Sequence, residues 1–255
     1  MADLERMPMA EHLDVLRRML MRLAVVAAVL MMAVFCMRDA VFQLLLAPKE
    51  YNFITFRAIE HLLHLLGSDF CFEPYHISLI NTELAGQFMA HLSTSLYLAI
   101  LIASPYILIE ILGFILPALY QNEKRVAVRL CVVMYMLFAV GVLMNYFVLF
   151  PISFRFLGTY QVDATIANTI TLQSYFSSFS TLTFMMGLVF QMPVAVRLLS
   201  HIGLVSASMM RRYRRHAIVG IMVIAALITP PDLFTLFLVT LPLYMLYEVS
   251  IWVIK

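Results

Sequence analysis

The stretch Pro117–Arg125, PALYQNEKR, decides the fold because it places a proline and three charged residues between two long apolar runs. The runs on either side, Gln87–Gly113 and Val126–Phe150, each exceed the about 20 apolar residues that a helix needs to cross a bilayer core of about 30 Å. Proline ends helices, and charged side chains are kept out of the hydrocarbon region. The pattern therefore predicts two membrane-spanning helices joined by a short charged loop.

The composition of the whole chain agrees with a membrane protein. Hydrophobic residues make up 63% of the 255 residues, whereas soluble domains contain about 45–50%. Charged residues make up 13% and the net charge is +2, which excludes a strongly basic nucleic-acid-binding surface. The three cysteines lack the paired spacing of a zinc or redox site. They are predicted to be packing residues, and a contact between Cys36 and Cys71 outside the membrane is the alternative.

The other apolar runs extend this interpretation to an all-α polytopic membrane protein that forms a single domain over residues 1–255. The six predicted spans are Leu20–Met37, Gln87–Gly113, Val126–Phe150, Ser174–Leu199, Ala217–Thr229 and Leu233–Val253. A cytoplasmic amphipathic helix is expected at 1–19, and a long outer loop at Arg38–Gly86. Within that loop, FRAIEHLLHLLGS has apolar residues at helical spacing and is expected to form an amphipathic helix on the outer surface.

The distribution of lysine and arginine orients the predicted spans. One set of alternate segments contains Arg38, Lys49, Arg57 and Arg155. The other set contains the remaining cations: Arg6, Arg17, Arg18, Arg22, Lys124, Arg125, Arg129, Arg197, Arg211, Arg212, Arg214, Arg215 and Lys255. Cytoplasmic segments are enriched in lysine and arginine. Both termini and the loop PALYQNEKR are therefore predicted to be cytoplasmic.

The last two spans are predicted to be short. Only 14 residues separate Arg215 from Pro230, which is about 21 Å of helix. Such a pair must thin the membrane locally, place its flanking cations at the interface, or pack against partner helices.

Few residues have the pattern of a catalytic or metal site. Glu60, His61 and His64 resemble a zinc protease motif, but their order is wrong and a third ligand is missing. A surface helix is therefore favoured over a metal site. No nucleotide-binding loop or catalytic triad order occurs, so no catalytic residue and no cofactor is predicted. Gln191 lies inside a predicted span, where it is interpreted either as a structural polar contact or as part of a solvated groove for a partner.

The N-terminal segment EHLDVLRR places Glu11, Asp14 and Arg18 on one side of a helix, at spacings of three and four residues. One interpretation is a solvated interfacial helix whose arginines enforce topology. The other is a binding surface for a cationic partner, because guanidinium groups prefer pairs of carboxylates.

Seven short motifs resemble the TatC family, the polytopic subunit of the twin-arginine protein translocase, and they occur in the family's order. They are His12-Leu13-x-x-Leu16-Arg17, Ala47-Pro48, Phe114 followed by PALYQNEKR, YFVLFP at Tyr146–Pro151, SYFSSF at Ser174–Phe179, FQMPV at Phe190–Val194 and ITPPD at Ile228–Asp232. Each motif is weak alone, but seven in sequence with six spans of matching topology are specific.

The resemblance implies a receptor without catalytic turnover, driven by the proton motive force and located in the bacterial cytoplasmic (inner) membrane. It also implies that the receptor binds Arg-Arg signal peptides of folded proteins and works with the single-span subunits TatA and TatB. A homo-oligomer within a larger complex, surrounded by membrane lipid and without nucleic acid, is expected. A small-solute secondary transporter is the alternative, although the spans lack the buried charges that such a carrier uses.

The resemblance also assigns the signal-binding residues. Glu123 matches the family's loop carboxylate, but Val15 stands where the family usually has glutamate. Glu11 lies about 40° from position 15 around the helix axis and Asp14 about 100° away, so Glu11 is the preferred substitute. The other residues expected at the signal site are Arg17, Phe114, Tyr120, Lys124 and Arg125. Residues expected to dock partners or to have structural roles are Pro48, Gln191, Thr229 and Asp232.

Overall fold

A computed structural model describes the backbone of residues 9–67, 71–119, 124–163, 165 and 168–254, and the side chains of 13–67, 71–111, 113, 129–163, 165 and 168–254. Helices dominate these residues, and one pair of two-residue strands is the only sheet among them. The helices are α1 Met9–Cys36, α2 Arg38–Leu46, α3 Ile54–Leu65, α4 Gly86–Leu119, α5 Lys124–Met144, α6 Phe150–Thr159, α7 Leu172–Val189, α8 Met192–His201, α9 Ala207–Arg212, α10 Arg214–Ile228 and α11 Leu233–Val253. The predicted all-α class is confirmed.

Five segments within these ranges are long and apolar enough to cross a membrane. They are Leu13–Cys36, Gly86–Ile111, Arg129–Thr159, Leu172–His201 and Leu233–Val253. The remaining predicted span corresponds to α10, which has 15 residues and a length of about 22 Å. α10 therefore matches the short fifth span that was predicted from sequence.

The chain divides into two compact units. The first unit contains Met1–Arg38 and Leu92–Tyr135, and the second contains Asp39–His91 and Met136–Lys255. In the first unit, α1 continues without a break from the predicted N-terminal amphipathic segment into the predicted first span. Most of α4 and the beginning of α5 complete this unit.

Two prolines interrupt spans of the second unit. A π-helical turn at Asn145–Leu149 joins α5 to α6, and Pro151 lies in the first turn of α6. Proline has no backbone N–H and its ring crowds the preceding turn, so a wider turn accommodates it. Pro193 begins α8 in the same way and separates it from α7. The sequence interpretation ended the third span at Phe150, but the helix continues past Pro151 to Thr159. It treated Ser174–Leu199 as one uninterrupted span, which the turn before Pro193 divides.

Close contact between α5 and α7 holds the interior of the second unit together. A Cβ atom at Gly141 would lie 2.6 Å from the Met186 carbonyl oxygen, so only glycine fits this crossing. One turn along, the Asn145 amide donates a hydrogen bond of 2.8 Å to the Thr183 hydroxyl. Small residues that allow close backbone approach, together with hydrogen bonds between helices, are typical of membrane helix pairs.

The long outer loop contains α2, α3 and a strand, and it packs within the second unit. α3 covers most of the predicted amphipathic segment, and Phe56 on its inner face is buried. β1 (Leu79–Ile80) pairs in parallel with β2 (Ile170–Thr171), which precedes α7. The strand pair thus ties the first outer loop to the second one.

Arg155 fastens the outer loop to α6. Its guanidinium carbon lies 4.4 Å from the ring centre of Phe72, 4.9 Å from that of Tyr75 and 5.1 Å from that of Phe56. The same guanidinium donates a hydrogen bond of 3.1 Å to the Glu73 carbonyl oxygen. An arginine predicted only to be an outer cation therefore has a structural position among three aromatic rings.

Candidate functional site

Most of the residues expected to bind the signal peptide fall outside the described part of the chain. Tyr120 and Glu123 lie outside the described residues, as do the side chains of Glu11, Phe114, Lys124 and Arg125. Their assignment therefore remains a prediction. Asp14 and Arg17 are described, and both are exposed on the N-terminal half of α1.

A shallow groove lies along the described part of α1 in the first unit. Its volume is about 440 Å³, and it is lined by Leu13, Leu16, Arg17, Leu20, Met21 and Ala24. Val15, which stands in place of the family glutamate, has 43% of its surface exposed. This stretch of α1 therefore presents an apolar surface with a cation at its edge.

A carboxylate that the sequence interpretation left without a role lies next to α1 in the first unit. Arg22 on α1 donates to Glu110 on α4, with Nη2 and Oε2 3.0 Å apart. The hydroxyl of Tyr106, one turn earlier on α4, donates to the other carboxylate oxygen of Glu110 at 2.7 Å. The i, i+4 spacing of tyrosine and glutamate was visible in the sequence, but the partner on α1 was not.

The second unit repeats this arrangement with different helices. Arg214 at the start of α10 donates to Glu248 on α11 at 2.6 Å, and Tyr244 donates to the same carboxylate at 3.0 Å. Both clusters consist of one arginine, one glutamate and the tyrosine four residues before that glutamate. Each therefore joins the end of one apolar helix to its neighbour by a charge-assisted hydrogen bond.

Gln191 occupies the bend between α7 and α8. Its amide nitrogen lies 3.4 Å from the carbonyl oxygen of Gly187 in the last turn of α7, which is a weak contact. A polar side chain at a bend of buried helices fits the structural interpretation of Gln191.

The residues of the ITPPD motif cap the two helices that they join. The Thr229 hydroxyl donates to the Ala225 carbonyl at 2.9 Å, and the side chain is buried. Asp232 caps α11, because its carboxylate accepts the Thr235 amide N–H at 2.6 Å. Pro48 is buried in a short 3₁₀ helix after α2. These residues have clear structural positions, and their docking roles remain predictions.

Within the described residues, no group of three histidine, cysteine, aspartate or glutamate side chains is arranged to hold a metal ion. Glu60 of the EHLLH segment instead accepts the backbone N–H of Phe72 at 2.8 Å. The cysteines are all free, and both Cys36 and Cys71 are exposed rather than packed. The predicted packing role is therefore wrong for these two residues, and no disulfide joins them.

Comparison with known proteins gives one consistent result. The family model described as "Sec-independent protein translocase protein (TatC)" matches residues 11–242. The Sec-independent protein translocase protein TatC of Azotobacter chroococcum mcd 1 is 31% identical over 96% of this chain and 88% of its own length. The protein of the same name in Escherichia coli (strain K12) is 29% identical over 96% of this chain and 87% of its own length.

Solved structures agree with this assignment. A crystal structure of the twin arginine translocase receptor TatC is 28% identical and has a TM-score of 0.73, covering 95% of this chain and 97% of that one. The same receptor in DDM gives a TM-score of 0.76 over 96% of this chain and 99% of that one. The chain belongs to the TatC family of Sec-independent protein translocase proteins.

Proposed function

We propose that this translocase subunit is the receptor that binds Arg-Arg signal peptides of folded proteins on the cytoplasmic face of the bacterial inner membrane. The observation that carries the proposal is the match to the TatC family over residues 11–242, which includes the charged loop around Glu123. The solved relative described as a twin arginine translocase receptor supports it. No observation favours the alternative of a small-solute transporter.

Glu123 is the principal carboxylate for the signal in this proposal. A guanidinium group forms its strongest hydrogen bonds with carboxylates, and paired carboxylates suit two adjacent arginines. Val15 supplies no charge, so Glu11 is the preferred second carboxylate and Asp14 the other candidate. Arg17, Phe114, Tyr120, Lys124 and Arg125 border the same site.

Assembly with single-span TatA- and TatB-like subunits is part of the proposal. α10 is shorter than a bilayer core, so a companion helix beside α10 and α11 reduces the mismatch with lipid. Thr229 and Asp232 lie at the turn between these helices, and they are the residues proposed to dock the partner there. Pro48 and Gln191 are further candidates for partner docking or for structural roles. A Thr229→Leu variant should recover less partner on copurification from native membranes, and undiminished recovery would count against docking at this turn.

Orientation and energy supply follow from the same proposal. Both termini face the cytoplasm, because the segments on that side contain most of the lysine and arginine residues. The subunit has no catalytic turnover of its own, and the proton motive force drives export. Several copies act together within a larger complex.

Photocrosslinking tests the signal site. A photoreactive group beside the Arg-Arg pair of a signal peptide should crosslink to the wild-type chain, and crosslinking should fall about tenfold in Glu123→Ala, as expected for the loss of one charge-assisted hydrogen bond. The matched control is Glu83→Ala, which removes an exposed glutamate of the outer loop. Equal crosslinking in the two variants would contradict the assignment of Glu123.

A further inference from the structure

Glu110 already binds a guanidinium group, and that group belongs to the chain itself. Arg22 contacts one oxygen of the carboxylate at 3.0 Å, and the Tyr106 hydroxyl contacts the other at 2.7 Å. The Glu110 side chain has only 15% of its surface exposed, whereas Arg22 has 58% exposed. The carboxylate is thus a largely buried acceptor, and its cationic partner is largely exposed on the surface of the protein.

The exposure of Arg22 makes this ion pair exchangeable. Arg22 lies near the cytoplasmic end of the predicted first span, where the long side chain of an arginine can extend to the water interface. An ion pair with such an exposed partner contributes little, because water and salt at the interface compete with it. The carboxylate is different, because a buried charge that loses its partner is strongly unfavourable. A second guanidinium that replaces Arg22 therefore keeps Glu110 compensated, and the Tyr106 hydrogen bond is unchanged by the exchange.

Glu110 lies where a signal arginine would reach it. It is one helical turn before Phe114 on α4, so the two positions share one face of that helix. Arg22 follows the α1 groove that contains Arg17, and all of these residues belong to the first unit. Among the described side chains of this unit, Asp14 and Glu110 are the carboxylates. Glu110 is therefore the described acid that combines burial with a guanidinium partner.

We propose that Glu110 is a further signal-binding carboxylate, occupied by Arg22 in the resting state and taken over by one arginine of the signal peptide. This inference rests on the proposed receptor function. Arg22 then competes with the signal arginine for Glu110, and this competition sets the affinity for the signal peptide. Glu110 also supplies a negative charge, which Val15 does not. A signal with a single arginine gains less, because it can occupy only one of the two carboxylates, Glu123 or Glu110.

The cluster of Arg214, Glu248 and Tyr244 provides the matched control. It has the same residue types and the same hydrogen bonds, but it lies in the second unit, which contains none of the predicted signal-binding residues. If both clusters only brace helices, corresponding substitutions in the two clusters have the same effect. If Glu110 binds the signal, only the substitutions in the cluster of the first unit change the affinity for the signal peptide.

The test measures binding of a fluorescent Arg-Arg signal peptide to the purified full chain, with a Lys-Lys peptide for comparison. Glu110→Gln should weaken Arg-Arg binding about fivefold, the size expected of one partly exposed ion pair, and Arg22→Gln should strengthen it by a similar factor. The double variant should bind like Glu110→Gln, because Arg22 acts through Glu110. Glu248→Gln and Arg214→Gln should each bind like the wild type.

The signs of these effects separate the possible outcomes. Parallel losses in Glu110→Gln and Arg22→Gln would show a purely structural pair and overturn the inference, as would no change in either. A thermal scan of each single variant shows whether it has unfolded. If one has, the double variant, which carries neither charge, replaces it in the test, and its affinity for the Arg-Arg peptide should be about fivefold below that of the wild type. A double variant that binds like the wild type would overturn the inference. A wild-type chain that binds Arg-Arg and Lys-Lys peptides equally would overturn the proposed receptor function itself, and this inference with it.

Discussion

Replacing Arg155 should loosen the first outer loop. In the Arg155→Leu variant the side chain keeps a shorter apolar body and loses its charge and its planar donor group. The guanidinium contacts three rings and the Glu73 carbonyl, so all four contacts disappear together. The outer loop would then be held mainly by buried aromatic side chains such as Phe56 and by the strand pair.

The size of the effect follows from these contacts. A cation over an aromatic ring contributes about 0.5–1 kcal/mol at exposed sites and about 2 kcal/mol when desolvated. The three rings share one cation, so about 2 kcal/mol is assigned to the set, and the charged hydrogen bond to Glu73 adds about 1.5 kcal/mol. Leucine regains about 1 kcal/mol through apolar contact. The net loss of about 2–3 kcal/mol corresponds to a decrease in Tm of about 4–12 °C for a chain of this size.

A thermal scan of the purified protein measures this loss, and hydrogen exchange of the outer loop locates it. Arg155→Lys should show an intermediate decrease, because lysine keeps the charge but not the planar fork. Arg57→Leu is the matched control, since it removes an exposed arginine from α3 of the same loop. Equal melting temperatures for Arg155→Leu and Arg57→Leu would refute the reasoning.

Two other predictions concern packing and pH. Gly141→Ala should lower the free energy of unfolding by about 1–3 kcal/mol, because its Cβ would lie 2.6 Å from the Met186 carbonyl oxygen, while Gly220→Ala, which meets open space, should not. Thermal scans of both variants check this, and equal loss would contradict it. Burial raises the pKa of Tyr75 from 10.0 to about 12, although Arg155 lowers it somewhat. Because the pKa is higher in the folded state, the stabilisation is complete below pH 10 and decreases as the pH rises towards 12. Subtracting the tyrosinate absorbance titration of Tyr75→Phe from that of the wild type should isolate this ionisation, and a midpoint near 10 would contradict the shift.

The spans were predictable because their cause is local. A run of apolar residues is visible directly in sequence, and the short α10 follows from the 14 residues between Arg215 and Pro230. The helical part of the outer loop was also predictable, because Phe56 and its apolar neighbours recur at helical spacing. These features depend on neighbouring residues and on the thickness of the membrane.

The continuation of the third span past Pro151 and the break before Pro193 were not predicted, although both prolines were visible in the sequence. Pro151 and Pro193 signal a change of backbone geometry, but whether proline ends, kinks or widens a helix depends on its packing. The hydrogen bond between Asn145 and Thr183 joins residues 38 positions apart, and no local pattern in sequence pairs them. The three rings around Arg155 likewise come from a distant loop.

The candidate site also combines residues that the sequence identified with a contact that it could not reveal. A family motif fixes the residue type expected at each position. The motifs therefore pointed to Glu123 as the loop carboxylate and to Val15 as a departure from the usual glutamate. The ion pair between Arg22 and Glu110 joins residues 88 positions apart and matches no motif. Only the contact between α1 and α4 shows that Glu110 holds a guanidinium group. Under the proposal above, Glu110 joins Glu123 as a signal-binding carboxylate.

Export of a reporter protein tests the central claim most directly. The chain would be expressed in cells that lack their own TatC subunit, and export of a folded reporter with an Arg-Arg signal would be compared with export of the same reporter with a Lys-Lys signal. Guanidinium binding at carboxylates predicts export of the Arg-Arg reporter and little or none of the Lys-Lys reporter, because lysine cannot form the planar paired hydrogen bonds. Equal export of the two reporters would contradict the receptor function.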